Sequence, residues 1–378
     1  MRVLISTRQG AGHIGPVIPF AHALLRDNND VIVLTPASAA PMITAAGLDH
    51  HPIPDPPDEP RTPIFAKART LTPDAANALV ASDLFVRIDT RAAYPHVVAA
   101  IERWQPDVVL YDLADFAAGL AAEATVVPAV SIGVSPGIHL QRLALAIAEA
   151  LDEVRAEIGL APDPRLERLT ATPCFTLIPP ALEAPGTEPS SELLRFRTET
   201  PPPRPLPDWW RNDDWPLIHL TLGTVVPIPG LYRAAIDALA VLPVRVLVTV
   251  GRDNDPADLG PVAPNVHVAR WVPQADVMPH AAAIVCHGGS GTLTGALAAG
   301  VPAVVVPMIA DQFENARRIT DLGAGLTLKP EDIVRLPDAV RALLADAGYR
   351  EAARRIAEET NALPTVDTAT AILRAMAA

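Results

Sequence analysis

A glycine-rich turn is the feature of this sequence that most directly indicates chemistry. The run HGGSGT, from His287 to Thr292, follows an apolar segment and opens a helical pattern that ends in glycine with a proline just beyond. Gly289 and Gly291 let backbone N–H groups approach an anion, and the N-terminus of a helix carries partial positive charge. The Ser290 hydroxyl and the His287 imidazole add hydrogen-bonding groups. This pattern predicts a diphosphate site, with a purely steric strand-to-helix turn as the alternative.

Two neighbouring segments carry side chains that suit the rest of a nucleotide. In WVPQ, Trp271 offers a face for stacking on a base, Val272 follows it, and Gln274 is within reach of a ribose hydroxyl. Asp311 and Gln312 come after the next apolar run, VVVPMIA, and therefore lie at the same rim of a sheet. A carboxylate and an amide there can bind sugar hydroxyls. The alternative is that Trp271 fills the core and Asp311 caps the following helix.

A second glycine-rich turn, GAGHIG from Gly10 to Gly15, follows the first apolar run and matches a dinucleotide fingerprint. That fingerprint needs an acidic residue at the end of the second strand to hold the ribose. Here the second strand ends in Thr35 and Pro36, so a nicotinamide enzyme is disfavoured.

A possible metal motif, Asp253-Asn254-Asp255, follows a later strand. The pattern continues into Pro256 and Asp258, which is typical of a solvated turn. With a helix N-terminus already available for an anion, we expect that neither a metal nor a cofactor is required.

Composition narrows the class of protein. The 378 residues are 49% hydrophobic and 19% charged, which excludes a disordered chain, and the formal charge is −13. This acidic balance argues against nucleic-acid partners and anionic membranes. No apolar run approaches the roughly 18 residues of a membrane span, and the N-terminus lacks the apolar core of a signal peptide. We expect a cytoplasmic protein, monomeric or homodimeric, with Cys174 and Cys286 as buried thiols.

The elements that position these residues follow one pattern, in which short apolar strands alternate with amphipathic helices. Strands are predicted at 3–6, 31–35, 108–111 and 129–132, and a helix is predicted to start near Pro16. The pattern restarts at 217–223 and continues with strands at 245–250, 266–268, 283–286 and 303–306. Such alternation is typical of a parallel sheet covered on both faces. The predicted fold class is α/β, with two tandem doubly wound, Rossmann-like domains facing across a cleft.

Two proline-rich stretches interrupt the pattern. Residues 52–63 hold six prolines and are predicted to leave the sheet, and residues 179–207 are predicted to be a linker. The predicted domains are therefore 1–200, 201–360 and a C-terminal helix over 361–378 that packs back on the first domain.

The combination of these motifs resembles a known family. The run WVPQ…CHGGSGTLTGALAAGVPAVVVPMIADQFENARRI is similar to the donor-binding signature of GT-B-fold glycosyltransferases. LTLGT at 220–224, DVVLYD at 107–112 and the N-terminal GHIGP extend the match to both domains. The glycine pattern most resembles the actinomycete antibiotic branch. Plant relatives carry a glutamate on the helix after the turn that holds the ribose, whereas this chain has Gly295 there.

The resemblance implies a role for His13, since a histidine in this loop takes the proton of the acceptor hydroxyl. An imidazole titrates near neutrality and suits that task, and Asp112 would orient it, with Asp115 as a weaker candidate. Thr224 would lie near the diphosphate. The predicted acceptor-binding residues, on the first domain, are Gly12, Ile14, Phe65, Phe85, Ser135 and His139.

The resulting expectation is an inverting glycosyltransferase that moves a sugar from a TDP- or UDP-sugar to a hydroxyl of a small natural-product acceptor, such as an antibiotic or polyketide. The partners would be the nucleotide-sugar donor and the acceptor. Two alternatives stay open: a non-catalytic auxiliary protein with the same fold, and a nucleotide-sugar epimerase or hydrolase. The pair His13 and Asp112 favours the transferase.

Overall fold

The structure is a computed structural model that describes residues 1–187, 192–199, 202–209, 214–223, 229–252 and 254–377. The chain forms two compact units. The first comprises Met1–Ile178, Pro185–Thr198 and Pro364–Ala378, and the second comprises Pro179–Ala184 and Glu199–Leu363. The assignment of acceptor binding to the first unit and donor binding to the second stays a prediction.

The first unit is a seven-stranded parallel sheet with the strand order β3-β2-β1-β4-β5-β6-β7. The strands are β1 (Arg2–Ser6), β2 (Asp30–Pro36), β3 (His50–Ile53), β4 (Val108–Asp112), β5 (Ala129–Gly133), β6 (Cys174–Thr176) and β7 (Leu193–Arg195). The helices are α1 (Ala11–Arg26), α2 (Ala40–Ala45), α3 (Arg61–Ala68), α4 (Pro73–Leu79), α5 (Arg91–Trp104), α6 (Phe116–Thr125), α7 (Gly137–Glu157) and α8 (Glu167–Ala171), with a π-helical segment (Val80–Thr90) between α4 and α5.

The second unit is a six-stranded parallel sheet with the order β10-β9-β8-β11-β12-β13. Its strands are β8 (Leu217–Thr221), β9 (Arg245–Thr249), β10 (Val266–Ala269), β11 (Ala281–Cys286), β12 (Ala303–Val305) and β13 (Gly325–Thr327). Its helices are α9 (Pro229–Ala240), α10 (Gln274–Val277), α11 (Ser290–Ala298), α12 (Gln312–Asp321), α13 (Leu336–Ala345) and α14 (Ala347–Asn361). Short 3₁₀ helices lie at Ala37–Ala39 and Val366–Thr368 in the first unit, and at Pro180–Leu182, Pro256–Leu259, Met278–His280 and Pro330–Arg335 in the second.

The C-terminal helix α15 (Ala369–Met376) packs on α1 within the first unit. Leu373 is fully buried in the core of that unit. Arg374 and Arg26 form ion pairs with Asp27 and Asp367, both at 2.6 Å. Because these ion pairs are exposed, the apolar contact accounts for most of the stabilisation.

Both faces of the first sheet are covered, as the apolar strands predict. In β1, Val3 and Ile5 pack into one core cluster, and Leu4 packs into another on the opposite face. Successive side chains of a strand point to opposite faces, so a strand that is apolar throughout requires helices on both sides. The predicted α/β class with two parallel sheets is confirmed.

The first helix begins earlier than predicted. The expected start near Pro16 is wrong, because α1 starts at Ala11 and contains both Pro16 and Pro19. Gly10 has φ 110, and this conformation, which favours glycine, turns the chain directly from β1 into the helix. His13 and Ile14 donate their N–H groups to the Gly10 carbonyl at 3.1 and 3.0 Å. His13 therefore lies in the first helical turn.

The proline-rich stretches contain more regular structure than predicted. Pro52 lies in β3 and pairs with Thr35 of β2. A residue without an N–H is tolerated there because β3 is an edge strand. Within the predicted linker, β7 forms the opposite edge of the first sheet, where Cys174 pairs with Leu193. Both edges of this sheet thus come from segments whose composition argued against a strand.

Cys174 and Cys286 are buried free thiols, as predicted. Among the residues that the structure describes, no helix combines the length and the apolar character needed to cross a bilayer.

The buried His219 makes the second unit sensitive to acid. His219 lies in β8, at the middle of the sheet, and is only 3% exposed. Its Nε2 lies 3.0 Å from the Thr249 hydroxyl, and Nδ1 has no hydrogen-bond partner among the described residues. Burial lowers the pKa of His219 to about 4, so the folded protein binds this proton less readily than the unfolded chain.

We expect the native protein to lose roughly 2 kcal/mol more stability between pH 7 and pH 5 than His219→Gln, which cannot titrate. The sign follows from the lowered pKa: the contribution is fully present above about pH 6.5 and is lost as the pH falls toward 4. Urea unfolding at both pH values measures it. The exposed His280→Gln is the control, and equal pH dependence in all three proteins would contradict the prediction.

Candidate active site

His13, in the first turn of α1, and Asp112, the last residue of β4, form a hydrogen-bonded pair. The Nδ1 atom of His13 lies 2.7 Å from Oδ2 of Asp112. The Asp112 side chain is completely buried, whereas 23% of the His13 side chain is exposed. The other carboxylate oxygen, Oδ1, accepts the Ala114 N–H at 2.9 Å. Since Nδ1 is committed to the carboxylate, Nε2 is the ring nitrogen available to accept a proton.

Asp115 occupies a separate position next to this pair. Its Oδ2 accepts the Ser6 hydroxyl at 2.6 Å, and its backbone N–H donates to the Asp112 carbonyl at 2.7 Å. Burial raises the pKa of Asp115 to about 6; the hydrogen bond from Ser6 opposes this increase, and the charge of Asp112 adds to it. Asp112, not Asp115, holds the imidazole.

A cluster of one aromatic and several charged side chains packs against the His13 imidazole. The Phe85 ring meets the imidazole edge-on, with ring centroids 5.9 Å apart. The Arg8 guanidinium stacks on Phe85 at 3.5 Å from the ring centroid. Asp89 accepts hydrogen bonds from Arg8 at 2.6 Å and from Arg61 at 2.5 Å. The cluster fixes the wall next to the imidazole.

The predicted acceptor-binding residues differ in their location and in their exposure to solvent. Gly12 is exposed on the first turn of α1, whereas Ile14 is fully buried in the core and faces away from solvent. Phe85 contacts His13. Phe65 is 43% exposed on α3 and His139 lies in the first turn of α7; both helices pack against the π-helical segment that carries Phe85. Ser135 is half-buried in the loop between β5 and α7.

The predicted diphosphate turn adopts the expected strand–turn–helix geometry. Gly288 has φ 86, and a Cβ there would lie 2.5 Å from the Val305 side chain. The His287 imidazole lies against the backbone of Gly223 and Gly289: a Cβ on Gly223 would be 3.0 Å from Nε2, and one on Gly289 would overlap that atom. At Gly291 a Cβ would meet nothing within 4 Å. The glycines thus seat the imidazole and leave the start of α11 uncovered.

Burial disfavours the charged form of the His287 imidazole. Burial lowers its pKa, and the charge of Asp311 and the carbonyl of Thr221 only partly oppose that effect. The first-turn N–H groups of α11 have no partners within the helix and add partial positive charge.

A hydrogen-bond network ties this turn to the next helix. Ser290 donates to Oδ2 of Asp311 at 2.6 Å, and Asn315 donates to that same oxygen and to the Ser290 hydroxyl, both at 3.1 Å. Asn315 also donates to the Gly288 carbonyl at 2.9 Å. The Ser290 proton is therefore used within the protein. The side chain supports the turn, while backbone N–H groups remain for an anion.

Gln312 also has a structural contact. Its Oε1 accepts the N–H groups of Met308 and Ile309 at 2.8 and 3.1 Å, and the residue is 7% exposed. This contact closes the loop after β12. The amide nitrogen is the remaining group for the predicted sugar contact.

Gln274 lies across α11. Its Nε2 donates to the Thr292 carbonyl at 2.7 Å. A Cβ on Gly295 would lie 2.9 Å from this nitrogen, so the glycine makes room for the amide. Oε1 is left as an acceptor for a ligand hydroxyl. Val272, between Trp271 and this amide, is half-buried.

Trp271 does not fill the core, since 46% of its surface is exposed. The Arg252 guanidinium covers its ring at 3.7 Å from the centroid, a cation–π contact that orders the indole. Asp311 stands at the N-cap of α12 but makes no capping hydrogen bond with its side chain, which leaves the carboxylate for Ser290 and Asn315.

Two predicted positions, Thr224 and Asp253, lie outside the described residues. Within the described part of the chain, His, Cys, Asp and Glu side chains do not form a group of three or more that could hold a metal ion.

Sequence reasoning missed Arg8, Asp89, Arg252 and Asn315. Asn315 is four residues after Asp311, so helical spacing could have placed both on one face. The contacts of Arg8 with Phe85 and of Arg252 with Trp271 span distant segments and carry no local signal.

Comparisons with known proteins identify the family and the fold. A family model described as the C-terminal domain of erythromycin biosynthesis protein CIII-like proteins matches residues 233–376. The L-demethylnoviosyl transferase of Streptomyces niveus is 32% identical to this chain, over 97% of this chain and 95% of the transferase.

Solved structures with the same fold cover both units. The glycosyltransferase SnogD from Streptomyces nogalater is similar with a TM-score of 0.78 and 28% identity, over 100% of this chain and 99% of SnogD. The glycosyltransferase VinC, solved in complex with dTDP, has a TM-score of 0.78 and 26% identity over the same shares. The predicted GT-B fold and family resemblance are confirmed.

The glycines of the turn differ in what they tolerate. We expect Gly291→Ala to leave the melting temperature unchanged or to raise it, because alanine is favoured over glycine in a helix by up to about 1 kcal/mol and the space is open. Gly289→Ala should lower it, because the new methyl overlaps His287. Calorimetry of the two variants measures the difference, and equal effects would contradict this account of the turn.

Proposed function

Since the chain belongs to the family of antibiotic and natural-product glycosyltransferases with the GT-B fold, we propose that it transfers a sugar, with inversion, from a TDP- or UDP-sugar to a hydroxyl group of a small natural-product acceptor. The observation that carries the mechanism is the hydrogen bond between His13 and the fully buried Asp112. The proposed base is His13, and Asp112 orients it.

The burial of Asp112 supports this assignment. A carboxylate without solvent must be compensated by hydrogen bonds, and here it receives them from Ala114 and from the imidazole. The Asp112 charge would stabilise the imidazolium that forms when Nε2 takes a proton. Because His13 keeps partial exposure, a ligand hydroxyl can reach that nitrogen.

The proposed step is a single displacement. The acceptor oxygen forms a bond to the anomeric carbon while the bond from that carbon to the diphosphate oxygen breaks. The hydroxyl proton moves to Nε2 of His13, and the electron pair of the broken bond leaves on the diphosphate. Attack opposite the leaving group inverts the anomeric configuration.

The turn before α11 suits the leaving diphosphate. Backbone N–H groups at the helix N-terminus can stabilise its growing negative charge, and the open space at Gly291 lets the diphosphate approach them. The nucleoside would stack on Trp271 and give a sugar hydroxyl to Oε1 of Gln274. This arrangement offsets the charge without requiring a metal.

The transferred sugar would meet the rim formed by Asp311 and Gln312. Asp311 has Oδ2 occupied by Ser290 and Asn315, so Oδ1 is the oxygen for a ligand. The amide nitrogen of Gln312 adds a donor. The dTDP complex of the similar protein VinC favours TDP as the nucleotide.

Loss of the base should abolish transfer without loss of donor binding. We expect Asp112→Asn and His13→Ala to lower kcat by a factor of about 100 to 10,000, the range for a general base. The measurement is TDP release from a TDP-sugar with a panel of phenolic acceptors. His96→Ala, an exposed histidine of the same unit, is the control. Unchanged kcat in both His13 and Asp112 variants would refute the dyad.

The donor site is tested separately by thermal stability with TDP, UDP, GDP and NAD. We expect TDP or UDP at a hundredfold excess over its Kd to stabilise the protein by about 2.7 kcal/mol. His287→Ala should remove most of this shift, and Asp112→Asn should keep it. Stabilisation by NAD alone would contradict the proposed function.

A further inference from the structure

A short proline-rich segment, residues 202–209, contacts the part of the second unit that carries the predicted nucleoside contacts. The segment belongs to that unit, although most of it falls within the predicted linker. Its sequence is PPRPLPDW, with prolines at 202, 203, 205 and 207. Because proline fixes φ and proline-rich chain is semi-extended and stiff, the distance between the two ends of the segment varies little. We call residues 202–209 the strap.

The first anchor of the strap is an arginine that binds a buried carboxylate. The backbone N–H of Arg204 donates to Oδ1 of Asp276 at 2.9 Å, and its Nε donates to Oδ2 at 3.1 Å. Asp276 lies in α10 and is only 7% exposed. A carboxylate with so little access to water requires hydrogen-bond donors from the protein. The strap supplies one donor to each of its two oxygens.

The second anchor is an aromatic contact at the other end of the strap. The rings of Trp209 and His267 are stacked, with centroids 4.3 Å apart and planes 8° from parallel. His267 lies in β10, which is an edge strand of the second sheet and pairs with β9 alone. The strap therefore covers a side chain of the strand that has the fewest neighbours in that sheet.

The two anchored residues flank the predicted nucleoside contacts in the chain. His267 precedes Trp271, and Asp276 follows Gln274 within the same short helix, α10. Residues of one helical turn move together, so a shift of Asp276 would also move the Gln274 amide. A stiff segment that holds both ends of 267–276 limits the positions that the residues between them can take.

We propose that the strap positions Trp271 and Gln274 for the nucleoside of the donor, with Arg204 and Trp209 as the positioning residues. Neither positioning residue touches the nucleotide in this proposal; they act through the α10 carboxylate and the β10 imidazole. The proposal rests on the proposed function, because it concerns the donor site of that reaction.

The diphosphate turn is held by a different set of contacts. Ser290, Asp311 and Asn315 bind one another there, and Asn315 also binds the Gly288 carbonyl. Loss of the strap contacts should therefore weaken binding of the nucleoside and leave binding of the diphosphate group unchanged. A purely structural role for the strap would weaken both equally.

Binding of two probes to the full-length protein separates these roles. The probes are inorganic diphosphate and whichever of TDP and UDP binds the native protein more tightly, and titration calorimetry measures both. The variants are Arg204→Ala, Trp209→Ala and Trp209→Phe, the last of which keeps a ring for stacking. Arg341→Ala and Asp338→Ala are the matched controls, because these residues form an exposed ion pair of 2.8 Å on α13.

We expect Arg204→Ala and Trp209→Ala to weaken nucleotide binding by about three- to tenfold, the range for residues that act on a site without touching its ligand. Binding of inorganic diphosphate should change by less than about twofold in the same variants. Trp209→Phe and both controls should bind the nucleotide as the native protein does. In an Asp276→Ala background, Arg204→Ala should have no further effect, because its partner is already absent.

Two results would overturn the proposal: native nucleotide binding in both Arg204→Ala and Trp209→Ala, or an equal loss of nucleotide and inorganic diphosphate in these variants. Failure of the proposed function gives a different pattern. The nucleotide would still bind in a way that depends on the strap, but the native protein would release no nucleotide from any TDP- or UDP-sugar with any acceptor.

Discussion

Parallel strand pairing is the constraint on which the rest of this structure depends. In each sheet all strands run the same way, so their carboxyl ends meet at one edge. β1 and β4 are neighbours with Ser6 opposite Tyr111; Asp112 is the last residue of β4, and His13 lies in the helix that follows β1. β11 and β12 are neighbours with Cys286 opposite Val305, which brings the glycine turn beside Asp311. One rule therefore assembles two chemically different groups of side chains.

Burial then decides what each polar group can do. Asp112 is compensated by a histidine that remains partly exposed, which is a suitable arrangement for a base and its orienting group. Asp311, Ser290 and Asn315 compensate one another, so much of their hydrogen-bonding capacity serves the turn. The two aspartates thus differ in their neighbours: Asp112 pairs with a partly exposed histidine, whereas Asp311 pairs with two side chains that support the turn.

The glycines also differ in the structural reason for which each position requires one. Gly10 allows the sharp exit from β1, Gly289 makes space for an imidazole, and Gly295 makes space for the Gln274 amide. A Cβ on Gly291 would meet nothing within 4 Å, so this glycine leaves the start of α11 uncovered. Glycine spacing alone could not distinguish these reasons, since each requires knowledge of which side chain approaches.

The fold class and the glycine turns follow from the sequence alone, because apolar strands and local turn chemistry are short-range signals. The pairing of His13 with Asp112 was expected from the family resemblance, since the two residues are 99 positions apart in the chain. Sequence reasoning misjudged Pro16, Pro52 and β7, whose conformations depend on Gly10 or on sheet edges. The burial of Ile14 in the core and the stacking of Arg8 on Phe85 became known only from the folded structure. These contacts join segments far apart in the chain, and their geometry is set by packing, which no local pattern encodes.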